Sequence, residues 1–424
     1  PAAPFLIVAA AFLIRATFLI LHPAPLLSDA RDYDQLGWSL AQTGHYSTEA
    51  GATAYRAPAY PAFLAVIYRI AGHHPGAVRW VQVCLDSLTA LLLFRLLSPR
   101  DRRAAAIAGW TWALFPAAIL FAGDLWSECM FTCCLVGFTT LVARDRRRDD
   151  VAAGALLGVL ILIKPMMLLF AAMLPLALLA RSSRRPATIL LSVAIAPVLA
   201  WVMRNLIVLG TPALVTSAGV NLWIGNNPQA TGGYSAPPGV VAPHAVMTGE
   251  VESDRLAGSM AAEWIATHPW HAATLAVRKV ALLISSESEL VAGTFAPSSA
   301  GPRLRDRYRS VPWMTRVLIM APTLVILVLG VFGVAARGPS LERRILFCLL
   351  PSIVLSSLVF FGGSRFRFPA MPLLVLFMGA FLSRLFHSRH ALIPRGKGLA
   401  AGFAAAAIIA VWLHEAAYLW AAPA

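Results

Sequence analysis

The chain has 424 residues, of which 58% are hydrophobic and only 13% are charged, with a mean hydropathy of +0.71. That composition excludes an ordinary soluble domain. The formal net charge of +15 suggests a nucleic-acid binder, but the charges are distributed against it: Lys and Arg fall in short bursts between long apolar runs, as loops retained on the cytoplasmic side do.

In chain order, the first apolar run covers residues 5–21, too long and lacking the small-residue cleavage site of a removed signal peptide; it reads as a retained span. A hydrophilic stretch follows, Ser28-Asp29-Ala30-Arg31-Asp32-Tyr33-Asp34, then Tyr55-Arg56-Ala57-Pro58-Ala59-Tyr60-Pro61. Three aspartates within six positions, beside a span in a carboxylate-poor chain, mark the rim of a site. Asp29 with Asp32 three residues on also resembles a helix-capping box. A carboxylate at the membrane edge can equally act as a general base or a metal ligand. Asp32-Tyr33-Asp34 matches the D-x-D pattern of nucleotide-sugar enzymes, but on the face where such sugars are absent; no nucleotide cofactor is expected.

Placing the basic clusters on one side threads about eleven spans through the membrane. These clusters are Arg100, Arg102 and Arg103; Arg144 and Arg146 to Arg148; Arg181, Arg184 and Arg185; Arg337, Arg343 and Arg344; and Arg384, Arg389, Arg395 and Lys397. The expected fold class is therefore an all-α polytopic membrane protein. It divides into an N-terminal transmembrane module at 1–206 with a first outer loop at about 23–76, a large outer loop at 207–311, and a C-terminal transmembrane module at 312–424. Lys164-Pro165 interrupts two runs shorter than the roughly 20 residues of a perpendicular span, which predicts a broken hairpin. An amphipathic helix is predicted over 254–267, with Leu256, Met260, Trp264 and Ile265 on one face. Cys84, Cys129, Cys133, Cys134 and Cys348 lie in apolar runs and predict free thiols.

This threading puts Glu128, in Asp124-Leu125-Trp126-Ser127-Glu128, on the same outer side as Asp29. Arg56, Lys164, Arg204, Arg365 and Arg367 fall there too, against the usual inward bias of basic residues. Cations drawn from separate spans suit a lipid phosphate; snorkelling to headgroups explains one or two of them better than all five. The run from Gly225-Asn226-Asn227-Pro228 to Tyr234 is either a turn or a set of sugar contacts.

In this order, several segments resemble the GT-C superfamily of polyprenyl-phosphate-sugar glycosyltransferases. The likeness is to the branch of dolichyl-phosphate-mannose protein mannosyltransferases (family 39-like) and lipid A aminoarabinose transferases. The pieces are Asp29 with Tyr33; Gly44-His45-Tyr46; Tyr55 to Ala65; Ser127-Glu128; Lys164-Pro165; Arg204-Asn205; Gly225-Asn226-Asn227-Pro228 with Gly232; and Ser364-Arg365-Phe366-Arg367-Phe368-Pro369. The resemblance implies a GT-C fold with juxtamembrane helices in the outer loops. It implies Asp29 as base or metal ligand and Glu128 as a second acid, with a divalent metal on the pair left open and Asp32 as a substitute. Arg56, Lys164, Arg365 or Arg367, and Arg204 would hold the donor phosphate. Tyr33, Tyr55, Tyr60, Asn226 and Asn227 are the candidate sugar and acceptor contacts.

Many relatives carry two adjacent acids where this chain has Asp29-Ala30, which weakens the metal reading. The large C-terminal soluble domain of some relatives is not matched, which would leave acceptor recognition to 207–311 and the first loop. The function expected is inverting transfer of a hexosyl or pentosyl unit from polyprenyl phosphate to a hydroxyl acceptor, at the outer face of a bacterial inner membrane. A transporter or flippase of lipid-linked sugars is the alternative, set back by the lack of an internal repeat and by acids placed in a loop rather than at mid-membrane.

Overall fold

A computed structural model of the chain describes residues 2–420 apart from 23–24, 145, 179–186, 235–248, 302, 339 and 387–392. Arg181, Arg184, Arg185 and Arg389 of the expected basic clusters lie outside the described residues. The described chain is almost entirely helical, with one two-stranded ribbon.

Helix α1 (Ala3–Leu21) leads into a segment holding α2 (Asp29–Thr43), the ribbon β1 (Ser47–Thr48) and β2 (Gly51–Ala52), and α3 (Ala59–Ala71). Then come α4 (Pro75–Leu97), α5 (Arg102–Leu114), α6 (Pro116–Gly123), α7 (Glu128–Arg144), α8 (Arg147–Ile163), α9 (Met167–Leu178) and α10 (Ala187–Leu209). A second segment of shorter helices carries α11 (Ala218–Gly225), α12 (Glu250–Thr267), α13 (Pro269–Leu283), α14 (Ser288–Phe295) and α15 (Leu304–Ser310). The chain finishes with α16 (Trp313–Ala336), α17 (Leu341–Val359), the short α18 (Ser364–Arg367), α19 (Met371–Leu385) and α20 (Arg395–Trp420).

Glycine contacts give the helix directions. Along α1, Ile7 faces Gly109 and Phe18 faces Gly123, so α1 runs parallel to α5–α6. Gly154 and Gly158 of α8 meet Leu190 and then Ala194 of α10, and Gly330 and Gly333 of α16 meet Leu374 and then Phe377 of α19. Each parallel pair requires the helix between them to run back. For α8 and α10 that helix is α9, so the break at Lys164-Pro165 is the turn of a hairpin, as expected.

Among the described residues, six helices are long and apolar enough to span a membrane, seven if α5–α6, bent by 49°, count as one. The chain is an integral membrane protein. The predicted amphipathic helix lies within α12, with Trp264 buried and Leu256, Met260 and Ile265 half-buried.

At the bend the chemistry is explicit. Pro116 has no N–H for the carbonyl of Trp112, which accepts instead from Arg15 Nη2 at 3.0 Å; Ala113 O accepts from Nη1 at 2.8 Å. Arg15 is completed by Asp86, 2.5 Å from Nε, and Trp112 Nε1 donates to the same carboxylate at 3.2 Å. Arg15 and Asp86 are both fully buried, so the pair is neutral in place and every donor is used.

The basic loops gather at one end of the bundle. Arg100 pairs with Glu342 at 2.5 Å, Arg343 Nη1 donates to Arg337 O at 2.9 Å, and Arg384 Nη1 donates to Ala336 O at 3.2 Å. The five cysteines are free thiols.

Candidate active site at the membrane edge

At the other end of the bundle, five chain segments bring acids and bases together. Asp29 is the first residue of α2, entered through Ser28 at φ 50, the one described non-glycine residue with positive φ. Ser28 takes the N-cap position and its side chain makes no cap bond, so the capping box expected from Asp29 and Asp32 is not formed. Both aspartates are turned to cations instead. The strained entry, of order 1–3 kcal/mol, marks α2 as held in place by what Asp29 binds.

Glu128 opens α7, where the helix dipole favours a carboxylate, and its side chain is fully buried. Lys164 closes α8 in the extended conformation that the following proline imposes. Arg365 stands on α18, between the ends of α17 and α19.

Arg365 joins the two acids. Nη1 donates to Asp29 Oδ2 at 2.6 Å; Nε and Nη2 donate to Glu128 at 2.6 and 3.2 Å. Its guanidinium also lies over the Trp126 ring, 4.1 Å from the centroid. Lys164 Nζ reaches Glu128 Oε1 at 2.9 Å. Arg56 completes the chain of charges, with Nη2 2.7 Å from Asp29 Oδ1 and 2.6 Å from Asp32 Oδ2. Burial would raise the Asp29 carboxyl, but the guanidinium groups of Arg365 and Arg56 outweigh it and bring the pKa down to about 2. Tyr33 is buried beside this pair and its phenol is pushed up to about 12, so it faces the site as a neutral hydroxyl. Three carboxylates and three cations thus neutralise one another at the membrane edge.

Supporting groups explain how the loops reach this geometry. Tyr60, fully buried, donates to Gln82 Oε1 at 2.6 Å, and Gln82 Nε2 donates to Asp124 O at 2.6 Å, fixing the α6–α7 turn that carries Trp126 and Glu128. Arg204 donates to Thr53 O at 2.7 Å and Tyr46 O at 2.9 Å, and Glu250 accepts from Ala54 N at 2.9 Å and from the Thr53 and Thr216 hydroxyls. Together they clamp the strand that leads to Arg56.

Of the residues expected at the site, the structure brings together Asp29, Asp32, Glu128, Arg56, Lys164, Arg365 and Tyr33. Tyr55 lies under the Arg56 guanidinium at 5.0 Å. Five expectations are corrected. Arg367 turns away, donating to Glu287 at 2.7 Å and to the carbonyls of Leu283 and Ser285. Arg204 braces backbone. Tyr60 is sealed in the core. Asn226 binds Lys279 Nζ and Val359 O, and Asn227 binds the carbonyls of Trp223 and Ile224. The run they belong to is a docking joint: a Cβ on Gly225 would fall 1.6 Å from the Phe360 carbonyl oxygen. Tyr234, at its end, is exposed and within electrostatic reach of Asp29, Arg56 and Asp32.

Trp126 and Glu250 were not singled out from the sequence. Trp126 stands two residues before Glu128 in the same polar turn, which is the one signal that could have marked it. A divalent ion bridging Asp29 and Glu128 would need the place that the Arg365 guanidinium holds. Among the described residues no three His, Cys, Asp or Glu side chains group as metal ligands. The donor set here fits a guanidinium better than a metal.

The fold and this cluster define a largely helical membrane protein with acids and cations gathered at one end of its bundle. Residues 55–207, roughly a third of the chain, match the family model for dolichyl-phosphate-mannose-protein mannosyltransferase, and Arg56, Glu128, Lys164 and Arg204 lie within the match. The resemblance to the GT-C glycosyltransferases is borne out over that stretch.

No curated protein sequence matches the chain. Among solved structures, the oligosaccharyltransferase of Archaeoglobus fulgidus tethered to an acceptor peptide is similar at 14% identity and TM-score 0.49, over 97% of this chain and 55% of that one. The same organism's AglB, in complex with an inhibitory peptide and a dolichol-phosphate, gives 13% and 0.46, over 96% and 54%. ArnT from Cupriavidus metallidurans bound to undecaprenyl phosphate gives 15% and 0.43, over 90% and 76%. The chain spans about half the length of the archaeal enzymes.

Proposed function

We propose that this protein is a glycosyltransferase that moves a sugar from a polyprenyl-phosphate donor to a hydroxyl acceptor at the extracytoplasmic face of the membrane, with inversion at the anomeric carbon. The observation that carries the reading is Arg365 bridging Asp29 and Glu128, with Lys164 and Arg56 beside it, at the bundle end opposite the basic loops. The mannosyltransferase family match over 55–207 supports it.

The chemistry follows from the charge balance. The resting cluster is neutral, so a donor phosphate binds by competing with Asp29 and Glu128 for Arg365 and Lys164. Drawing Arg365 off Asp29 removes the main attraction that keeps its carboxylate weakly basic. The base is thereby strengthened only when donor is present. Asp29 takes the proton of the acceptor hydroxyl, the acceptor oxygen bonds to the anomeric carbon, and the bond from that carbon to the phosphate oxygen breaks. Its electron pair leaves on the phosphate, where Arg365 and Lys164 stabilise the charge in place of a metal. Tyr33, Tyr55 and Tyr234 border the site and suit the faces of a sugar ring.

Native mass spectrometry of the purified protein, alone and as Lys164→Ala and Arg365→Ala, tests the donor assignment. A prenyl phosphate or its glycosylated form, bound to the unsubstituted protein and lost from the variants, is the expected result, and its mass names the sugar. No such species after addition of polyprenyl phosphate overturns the assignment.

A further inference from the structure

A second charged cavity sits at the opposite, basic end of the bundle. It has a volume of about 580 Å³ and lies between the α4–α5 turn, the α16–α17 turn and the end of α19. Three guanidinium groups from these separate segments line it, those of Arg100, Arg337 and Arg384, and its walls include Leu97, Leu341 and Ala380. Asp101 is the one carboxylate in the lining. Its Oδ1 accepts from the backbone N–H groups of Arg103 and Ala104 as the cap of α5, so its charge is engaged there.

The three arginines are unequally satisfied. Arg100 is held by Glu342, and Arg384 donates to Ala336 O. Arg337, half-buried, makes no ion pair within 4 Å among the described residues. Burial, together with like charge on Arg100 and Arg384, draws its pKa below the ordinary arginine value against the opposing pull of Glu342. Glu342 offsets Arg100, so the positive charge that an anion entering the cavity would balance is chiefly that of Arg337, beside Arg384.

We propose that this cavity is a phosphate-binding site, independent of the candidate active site. The phosphate is presented either by the headgroup of an anionic lipid in the adjoining leaflet or by free inorganic phosphate. Planar guanidinium groups approaching from three directions match the oxygens of a phosphate group. The leucine and alanine walls suit the glycerol and first methylenes of a lipid, and basic pockets between spanning helices are a known way of holding such headgroups. An occupant would tie the α4–α5 and α16–α17 turns to α19.

The test is a titration of the purified full-length chain with fluorescent cardiolipin in neutral detergent, with inorganic phosphate as competitor. Arg337→Gln and Arg384→Gln should each weaken binding on the order of tenfold. Ala380→Trp, which fills the cavity without altering charge, should abolish it, and Arg69→Gln, an exposed arginine of α3 outside both clusters, should leave it unchanged. Displacement of the lipid by inorganic phosphate identifies the phosphate group alone as the ligand; failure of phosphate to compete identifies the lipid as its source. Binding unchanged in both Arg337→Gln and Ala380→Trp, or lost only in Arg69→Gln, overturns the proposal.

Discussion

Arg365→Gln is the sharpest perturbation of the outer cluster. It removes three charge-assisted hydrogen bonds, at 2.6, 2.6 and 3.2 Å, and leaves the fully buried Glu128 with Lys164 alone. Breaking a buried pair on one side costs about 3–5 kcal/mol, mostly because the surviving charge is stranded. Losing the stack on Trp126 adds about 1–2 kcal/mol. Glu128→Gln alone strands Arg365 and Lys164 less severely, since both are part-exposed and Arg365 keeps Asp29, and should cost about 2–3 kcal/mol. The double variant strands neither partner of that bond pair, so its destabilisation should fall short of the sum by about 2 kcal/mol. Thermal and denaturant unfolding of the detergent-solubilised protein and its three variants measures this cycle. Additivity within about 0.5 kcal/mol would refute the pairing of Arg365 with Glu128 on which the site reading depends.

Asp29→Asn should abolish sugar transfer while leaving polyprenyl-phosphate binding nearly intact; transfer retained in an acceptor assay moves the base to Asp32 or Glu128. The folded pKa of Asp29, about 2, lies below its ordinary 3.8, so its stabilising effect is full above about pH 4 and is lost as pH falls through 2. That effect is of order 2 kcal/mol, so Asp29→Asn should lower stability by about that amount at pH 7 and by almost nothing near pH 2, as followed by unfolding at each pH. Arg367→Gln should destabilise the protein by breaking its bond with Glu287, yet leave donor-lipid affinity within about twofold, since it faces away from the cluster; a large loss of affinity would return Arg367 to the site. Transfer should survive a chelator, and activity that disappears with EDTA and returns with magnesium or manganese would restore the metal reading.

Much of this was legible in the sequence because a membrane makes charge conspicuous. Asp29, Arg56, Glu128, Lys164 and Arg365 are scattered over more than three hundred positions, and the sidedness of the basic loops was enough to put them on one face. What sidedness could not tell was where a side chain turns. Arg365 and Arg367 share one short helix and the same rule, yet one faces the acids and the other Glu287, because successive positions on a helix point to different faces. Asn226 and Asn227 looked like sugar contacts because turn residues and ligand contacts draw on the same residue types. Asn226 joins α11 to α13 and α17 through partners more than fifty positions away, while Asn227 folds back on the carbonyls of Trp223 and Ile224. Beyond its place in the polar turn before Glu128, Trp126 carries no signal of its own, because an aromatic in an apolar chain stands out only once a guanidinium is known to lie on it.

The pair of Arg15 and Asp86 constrains how the protein is made. During synthesis the arginine in the first helix enters the bilayer before its carboxylate, 71 positions later, and its carbonyl partners, 97 and 98 positions later, have been translated. A lone arginine near a helix centre carries an insertion penalty of about 2.5–3.5 kcal/mol. The helix that carries Arg15 therefore holds an unneutralised charge until the segments with Asp86 and Trp112 have been made, and its apolar residues must outweigh that cost in the interval.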